Sequence, residues 1–249
     1  MSSLNFLQRA PKALQLAALL LLAFQQVSLA ASILIGAPGD APNFAPFGAG
    51  NITRYQQVYS ASQFSGPIAI SNITFFHLIP QCGVGQPGCT PASGDFGNTE
   101  YALSFSTTSR SVNALSTDLV SNVGPNQQLF FQGFVSGVVL IGGSFTFSGT
   151  PFQYDPAMGN LLLDIVPVSR GSSQFGPDAV FDVLTTGGTS GVFSRAFSQL
   201  GGATPDPDAA GFRYGLVTEF NVPEPGSFAL VFMGGLLLFG RHRLSRFMR

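Results

Sequence analysis

The sequence predicts an all-β fold, an antiparallel β-sandwich of jelly-roll-like form. Three observations predict it. The 249-residue chain carries 30 Gly and 17 Pro, spread densely enough to argue against long helices. Between them lie short runs rich in Phe, Val, Ile, Thr and Tyr, the composition of strands. Several of these runs alternate apolar and polar residues, as a strand with one buried and one wet face does.

The first 30 residues read as a secretory signal peptide. Arg9 and Lys12 form a short basic region, and Ala13 to Phe24 is an apolar run too short to span a bilayer. Ser28-Leu29-Ala30 sets small residues for a cut before Ala31, and Leu29-Ala30-Ala31 offers one a residue later. A retained N-terminal anchor is the alternative.

About 190 residues follow, 31–221, which suits one all-β domain of roughly nine to twelve strands. Ile35–Gly50, with Pro38, Pro42 and Pro46, reads as irregular. Tyr55 and Tyr59 share one side of a strand or lie one helical turn apart, and either spacing suits core packing as well as binding. Ile68–Ile79, Phe134–Ile141 and Leu161–Val168 are apolar almost without a break and read as central strands. Pro167 is expected to end the last, because proline cannot donate to the ladder.

Alternation is clearest where Tyr101, Leu103 and Phe105 share a face, and where Phe145 and Phe147 do. Phe212, Tyr214 and Leu216 form a similar row near the end. Val112–Val120 fits one or two helical turns or a loop, and Ala179–Gly188 is equally ambiguous. Gly201–Gly211 is a turn-rich loop. With export, Cys82 and Cys89 in CGVGQPGC read as a disulfide closing a short loop, worth about 2 kcal/mol. A metal site is the alternative, with only His77 near to assist.

Charge excludes one class of partner. All twelve acids lie between Asp40 and Glu224, accompanied by only five arginines: Arg54, Arg110, Arg170, Arg195 and Arg213. A nucleic-acid surface needs clustered Lys and Arg, which this span lacks.

Enzyme chemistry finds few candidates, and no catalytic residue is assigned. His77 alternates with Phe75 and Ile79 and reads as a packed side chain. A G-x-S-x-G elbow is missing from the sequence. A glycosidase would need two facing carboxylates. Asp155, Asp164, Asp178 and Asp182 lie close in sequence. Asp164 interrupts a buried run, so it needs a partner: Arg170 or Arg213, a calcium ion, or a substrate. Asp206 and Asp208 supply only part of the about six to eight oxygens that calcium takes. The chain has no Trp for a sugar platform, and its two N-I-T strings begin at Asn51 and Asn72.

The tail is the most specific feature. Val222-Pro223-Glu224-Pro225 cannot continue a strand and forms a stiff, exposed peptide. Ser227–Gly240 is an uncharged run of fourteen residues. As a helix it is about 21 Å long, short of the roughly 30 Å hydrocarbon core. Arg241, Arg243, Arg246 and Arg249 follow, suited to snorkel and to stop transfer on the cytoplasmic side. The two ends agree on a topology with the domain outside and the C-terminus inside.

A Pro-Glu-Pro motif, a short apolar helix and an arginine cluster, in that order, resemble the PEP-CTERM sorting signal of Gram-negative bacterial surface proteins. The resemblance covers residues 222–249. It implies recognition by exosortase, a membrane-embedded cysteine transpeptidase, and processing near the motif, with Pro223, Glu224 and Pro225 read as substrate. It implies Sec export, a cytoplasmic-membrane stage facing the periplasm, then the cell surface or the extracellular matrix, with a link to exopolysaccharide and biofilm. The chain thus divides into a signal peptide (1–30), a secreted β domain (31–221) and a sorting signal (222–249). Two functions compete for the domain. One is a non-enzymatic structural or binding module. The other is a secreted carbohydrate-binding or calcium-dependent glycan-hydrolysing domain, which requires a carboxylate such as Asp164 to face a solvent cleft.

Overall fold

The computed structural model describes residues 31–38, 41–48, 50–77, 94–140, 142–170, 179–201 and 213–222. The expected signal peptide (1–30), Cys82 and Cys89, Asp178, Asp206 and Asp208, and the tail from Pro223 with Glu224, Pro225 and the four arginines from Arg241 lie outside them.

The described residues form twelve strands: β1 (Ala31–Ile35), β2 (Ala41–Asn43), β3 (Ile52–Tyr59), β4 (Ile68–Phe76), β5 (Thr99–Thr108), β6 (Gln128–Val135), β7 (Ser144–Tyr154), β8 (Asn160–Ser169), β9 (Phe181–Leu184), β10 (Phe193–Gln199), β11 (Gly215–Leu216) and β12 (Thr218–Val222). All pairings are antiparallel. Three sheets result, in the orders β1-β12-β4-β7, β10-β3-β8-β5-β6 and β11-β9-β2. The protein is therefore all-β and antiparallel, with a small third sheet that the sequence did not suggest.

Period-two patterning decides which face each strand buries. In β5, Tyr101, Leu103 and Phe105 are sealed from solvent, as their alternation predicts. Their partners in β8 are Pro167, Ile165 and Leu163. The four- and five-stranded sheets meet through aromatic rings. Phe105 stacks on Phe152 of β7 at 5.7 Å, and Tyr59 of β3 meets Phe220 of β12 edge-on at 5.1 Å. Phe47 sits at the hub, within 5.7 Å of five rings: Phe75, Phe96, Tyr101, Phe147 and Phe181. Such pairs add to the apolar area that each ring removes from water.

Two expected central strands hold their place: β4 lies between β12 and β7, and β8 between β3 and β5. Pro167 does not end β8, which runs on to Ser169. The ladder with β3 stops at Ile165, so Pro167 has only β5 as a neighbour, and a strand tolerates proline there. The run Phe134–Ile141 is not a central strand. β6 is an edge strand that stops at Val135, and Gly137 turns the chain through a φ of +94°.

The ambiguous segments resolve as loop and strand. Val112–Val120 is loop with a turn at Val112–Asn113, leading into a 3-10 turn at Leu119–Asn122 capped by Asp118. The connection from β5 to β6 covers the outer face of the five-stranded sheet. Leu115 and Leu119 pack there with Val58, Leu162 and Ala196 as a second small core. Ala179–Gly188 contains β9 and a turn.

Residues Ala31–Val222 form one compact unit. Its first and last residues are directly paired, Ala31 with Val222, on β1 and β12. Val222, expected to open the tail motif, is the buried last residue of β12.

Candidate functional site

Asp164 is the sequence candidate that the structure describes most fully. Its β8 neighbours Leu163 and Ile165 point into the main core, so Asp164 faces the opposite side, under the β5–β6 connection. Gln56 stands opposite Asp164 in the register, and Arg54, two residues back, reaches it diagonally. The Arg54 Nε donates to Oδ1 at 2.8 Å and Nη2 to Oδ2 at 2.5 Å. Gln127 Nε2 donates to Oδ2 at 3.3 Å. Asp164 is 4% exposed. The hydrogen bonds to Asp164 raise the pKa of Arg54 above its usual value, against an opposing effect of burial.

The partner is therefore neither Arg170 nor Arg213. Arg170 donates to the Ile52 carbonyl beyond the end of β8, and Arg213 is exposed beside Gly188. A carboxylate with both oxygens held by a guanidinium does not face a cleft, so Asp164 is not placed as a general acid or base.

The other described acids stand apart. Asp155 caps the 3-10 turn Pro156–Met158, its Oδ1 accepting from the Ala157 N–H at 2.9 Å. Asp182 is buried in β9. Among the described residues, no group of three or more His, Cys, Asp or Glu is arranged to hold a metal. His77 follows β4 and packs edge-on to Phe181, with ring centroids 6.2 Å apart, and its backbone N–H donates to the Gly143 carbonyl. It is a packed histidine, as its apolar surroundings in sequence suggest.

The tyrosines are core residues. Tyr55 donates to Gln57 Oε1 at 2.7 Å, Tyr101 to the Phe47 carbonyl at 3.2 Å, and Tyr59 bonds Thr218 Oγ1 at 2.8 Å. Burial pushes the Tyr55 and Tyr101 hydroxyls up to about 12, and Tyr59 well above its usual value. Of the two N-I-T strings, Asn51 is exposed and bonds Gln199, while Asn72 is half-buried in a central strand.

Arg195 was not singled out by the sequence. β10 sends Phe193, Arg195 and Phe197 inward, opposite Tyr59, Gln57 and Tyr55 of β3. The Arg195 guanidinium lies 3.8 Å from the Tyr214 ring centre, 5.0 Å from Phe197 and 5.9 Å from Tyr55. Nη1 donates to Asn43 Oδ1 at 3.0 Å, and Nε meets no acceptor among the described residues. A cation 2% exposed is thus held chiefly by aromatic faces.

A groove of about 420 Å³ opens at the end of the molecule from which Val222 leaves. Three chain stretches line it: the end of β5 (Thr107 to Ser109), the connection after it (Ser121, then Val123 to Asn126), and the end of β7 with its 3-10 turn (Gln153, Asp155, Met158). Its walls are set by internal bonds. Asn126 Oδ1 accepts from the Thr107 N–H at 2.7 Å, and its Nδ2 donates to Thr107 Oγ1 at 3.1 Å. Gly124 donates to Ser106 Oγ and lies so close to β5 that a Cβ would sit 1.7 Å from the Thr107 carbonyl oxygen. Ser, Thr and Asn in a loop carry no distinctive sequence signal, so sequence reasoning missed this groove.

Among the described residues no helix is long and apolar enough to cross a membrane, and the expected span Ser227–Gly240 lies outside them. A scan against protein-family models and searches of curated proteins and of solved structures return no match.

Proposed function

We propose that the chain is an exported bacterial surface or extracellular-matrix protein of non-enzymatic, structural or binding type, held at the membrane and then sorted through its Pro223-Glu224-Pro225 motif. The observation that supports it most is the pairing of Ala31 with Val222. The folded unit begins at the expected signal-peptide cut and ends one residue before the motif's first proline. Both chain ends can thus be trimmed without removing any of the twelve described strands. A jelly-roll-like sandwich, a cleaved signal peptide, a short membrane helix at Ser227–Gly240 and the Cys82–Cys89 disulfide belong to the same reading. Exosortase and the Sec machinery are the partners it calls for, with exopolysaccharide as the surrounding matrix.

The glycan-hydrolase alternative loses its named carboxylate, because Arg54 occupies both oxygens of Asp164. Asp206 and Asp208 leave calcium only a partial donor set.

The decisive experiment replaces Glu224 with Ala in the producing bacterium and weighs the mature protein by mass spectrometry. The wild type is expected to end at or just after the Pro-Glu-Pro motif and the variant to keep Arg249. An identical C-terminal mass in both, with Arg249 present, overturns the reading.

A further inference from the structure

We infer that the groove between the ends of β5 and β7 is a binding site for a neutral, hydroxyl-rich ligand about the size of a short oligosaccharide. This goes beyond the sorting reading and does not rest on it. A volume of about 420 Å³ falls in the range of small-ligand sites, roughly 300–1,000 Å³. Its lining offers hydroxyl and amide groups from Thr107, Ser109 and Gln153, while the Ser121 hydroxyl already donates to the Asp118 carbonyl and accepts from Arg110. It contains one carboxylate, Asp155, and the Arg110 guanidinium sits against its wall through a bond to Ser121 Oγ at 3.1 Å, so the two charges offset and a neutral ligand is favoured over either ion. Hydroxyls that both donate and accept match such a lining, because the Ser109 hydroxyl and the Gln153 amide can each bond in either sense while Asp155 accepts.

Two further features suit a sugar ring. Met158, 75% exposed, and Pro125 give apolar surfaces against which C–H faces can lie. The Asn126–Thr107 pair and the Asp155 cap hold the walls before any ligand arrives, so little ordering is left to offset on binding. With no aromatic platform in the lining, weak binding is expected, at about the millimolar level.

The test is calorimetric titration of the full chain in detergent with maltotetraose and cellotetraose, with trigalacturonate and tetra-alanine as acidic and peptide probes. One neutral tetrasaccharide is expected to bind. Gln153→Ala, at an exposed wall position, should weaken it about fivefold with an unchanged melting temperature. Asp155→Asn keeps an oxygen to cap the turn and should weaken it similarly if the carboxylate accepts from a sugar hydroxyl. Failure of both neutral sugars to bind at tens of millimolar overturns the proposal. So does tighter binding of either control probe, or binding that neither variant changes. None of these outcomes bears on the mass of the mature C-terminus.

Discussion

Arg54 and Asp164 lie 110 residues apart in sequence, yet form a two-pronged ion pair on adjacent strands, with bonds of 2.8 and 2.5 Å. The Asp164 side chain is 5% exposed and the Arg54 side chain 23%, so the pair is anchored on the buried carboxylate while the cation reaches toward water. Removing the cation strands a buried charge, whereas removing the anion leaves a cation that can turn outward.

Arg54→Ala is therefore expected to cost more than Asp164→Asn, about 3 kcal/mol against about 1–2 kcal/mol. Urea unfolding of the two variants and the double variant checks the order. Equal losses would show that the pair contributes little beyond its packing.

Arg195 behaves differently, because the rings of Tyr214, Phe197 and Tyr55 lie against its guanidinium. Arg195→Met keeps the length of the side chain and removes a desolvated charge. It should leave stability within about 1 kcal/mol of wild type, or raise it. Arg195→Ala opens a cavity beside Tyr214 and Phe197 and should cost about 3 kcal/mol. Thermal melts of both variants separate a packing role from a charge role. A Met variant as unstable as the Ala variant would contradict this account.

Gly124 meets the Thr107 carbonyl where no side chain fits. Gly124→Ala should cost about 2–3 kcal/mol, or displace the connection that covers the outer sheet face. If the connection moves, exchange protection is expected to fall at Gly124 and Thr107 while the strand pair β4–β7 keeps its own. A wild-type melting temperature in this variant would mean that the close approach is not maintained in solution.

The buried tyrosines set an alkaline limit. Tyr55 and Tyr101 ionise near 12 in the folded protein, against 10.0 for an exposed phenol, because burial disfavours the phenolate. A raised folded pKa leaves the folded state fully favoured below pH 10 and less favoured as pH rises through 12. Unfolding with rising pH is expected between these values, with phenolate absorbance and loss of β circular dichroism appearing together. Phenolate absorbance rising well before structure is lost would contradict burial of these hydroxyls.

Much of the β architecture was legible locally. Tyr101, Leu103 and Phe105 are buried on one face because a strand repeats every two residues, a property of the backbone alone. Apolar runs located β4 and β8 because a strand inside a sheet is covered on both faces and needs no polar alternation. The run Phe134–Ile141 misled because hydropathy cannot register a glycine turn: Val138 and Leu140 are apolar but 57% and 78% exposed. Phe47 was hidden in a proline-rich stretch whose irregular backbone says nothing of where its side chain goes.

The sequence by itself determined the strand character of the domain and the pattern of each buried face, since these depend on neighbours a few residues away. It also carries the expectation of two processed ends. Only the tertiary structure decided that Asp164 pairs with Arg54, that Arg195 is caged by rings, that Ala31 lies beside Val222, and that a polar groove opens where β5 and β7 end. Each of these joins residues from distant parts of the chain, and strand register fixes such contacts only once the sheets have formed.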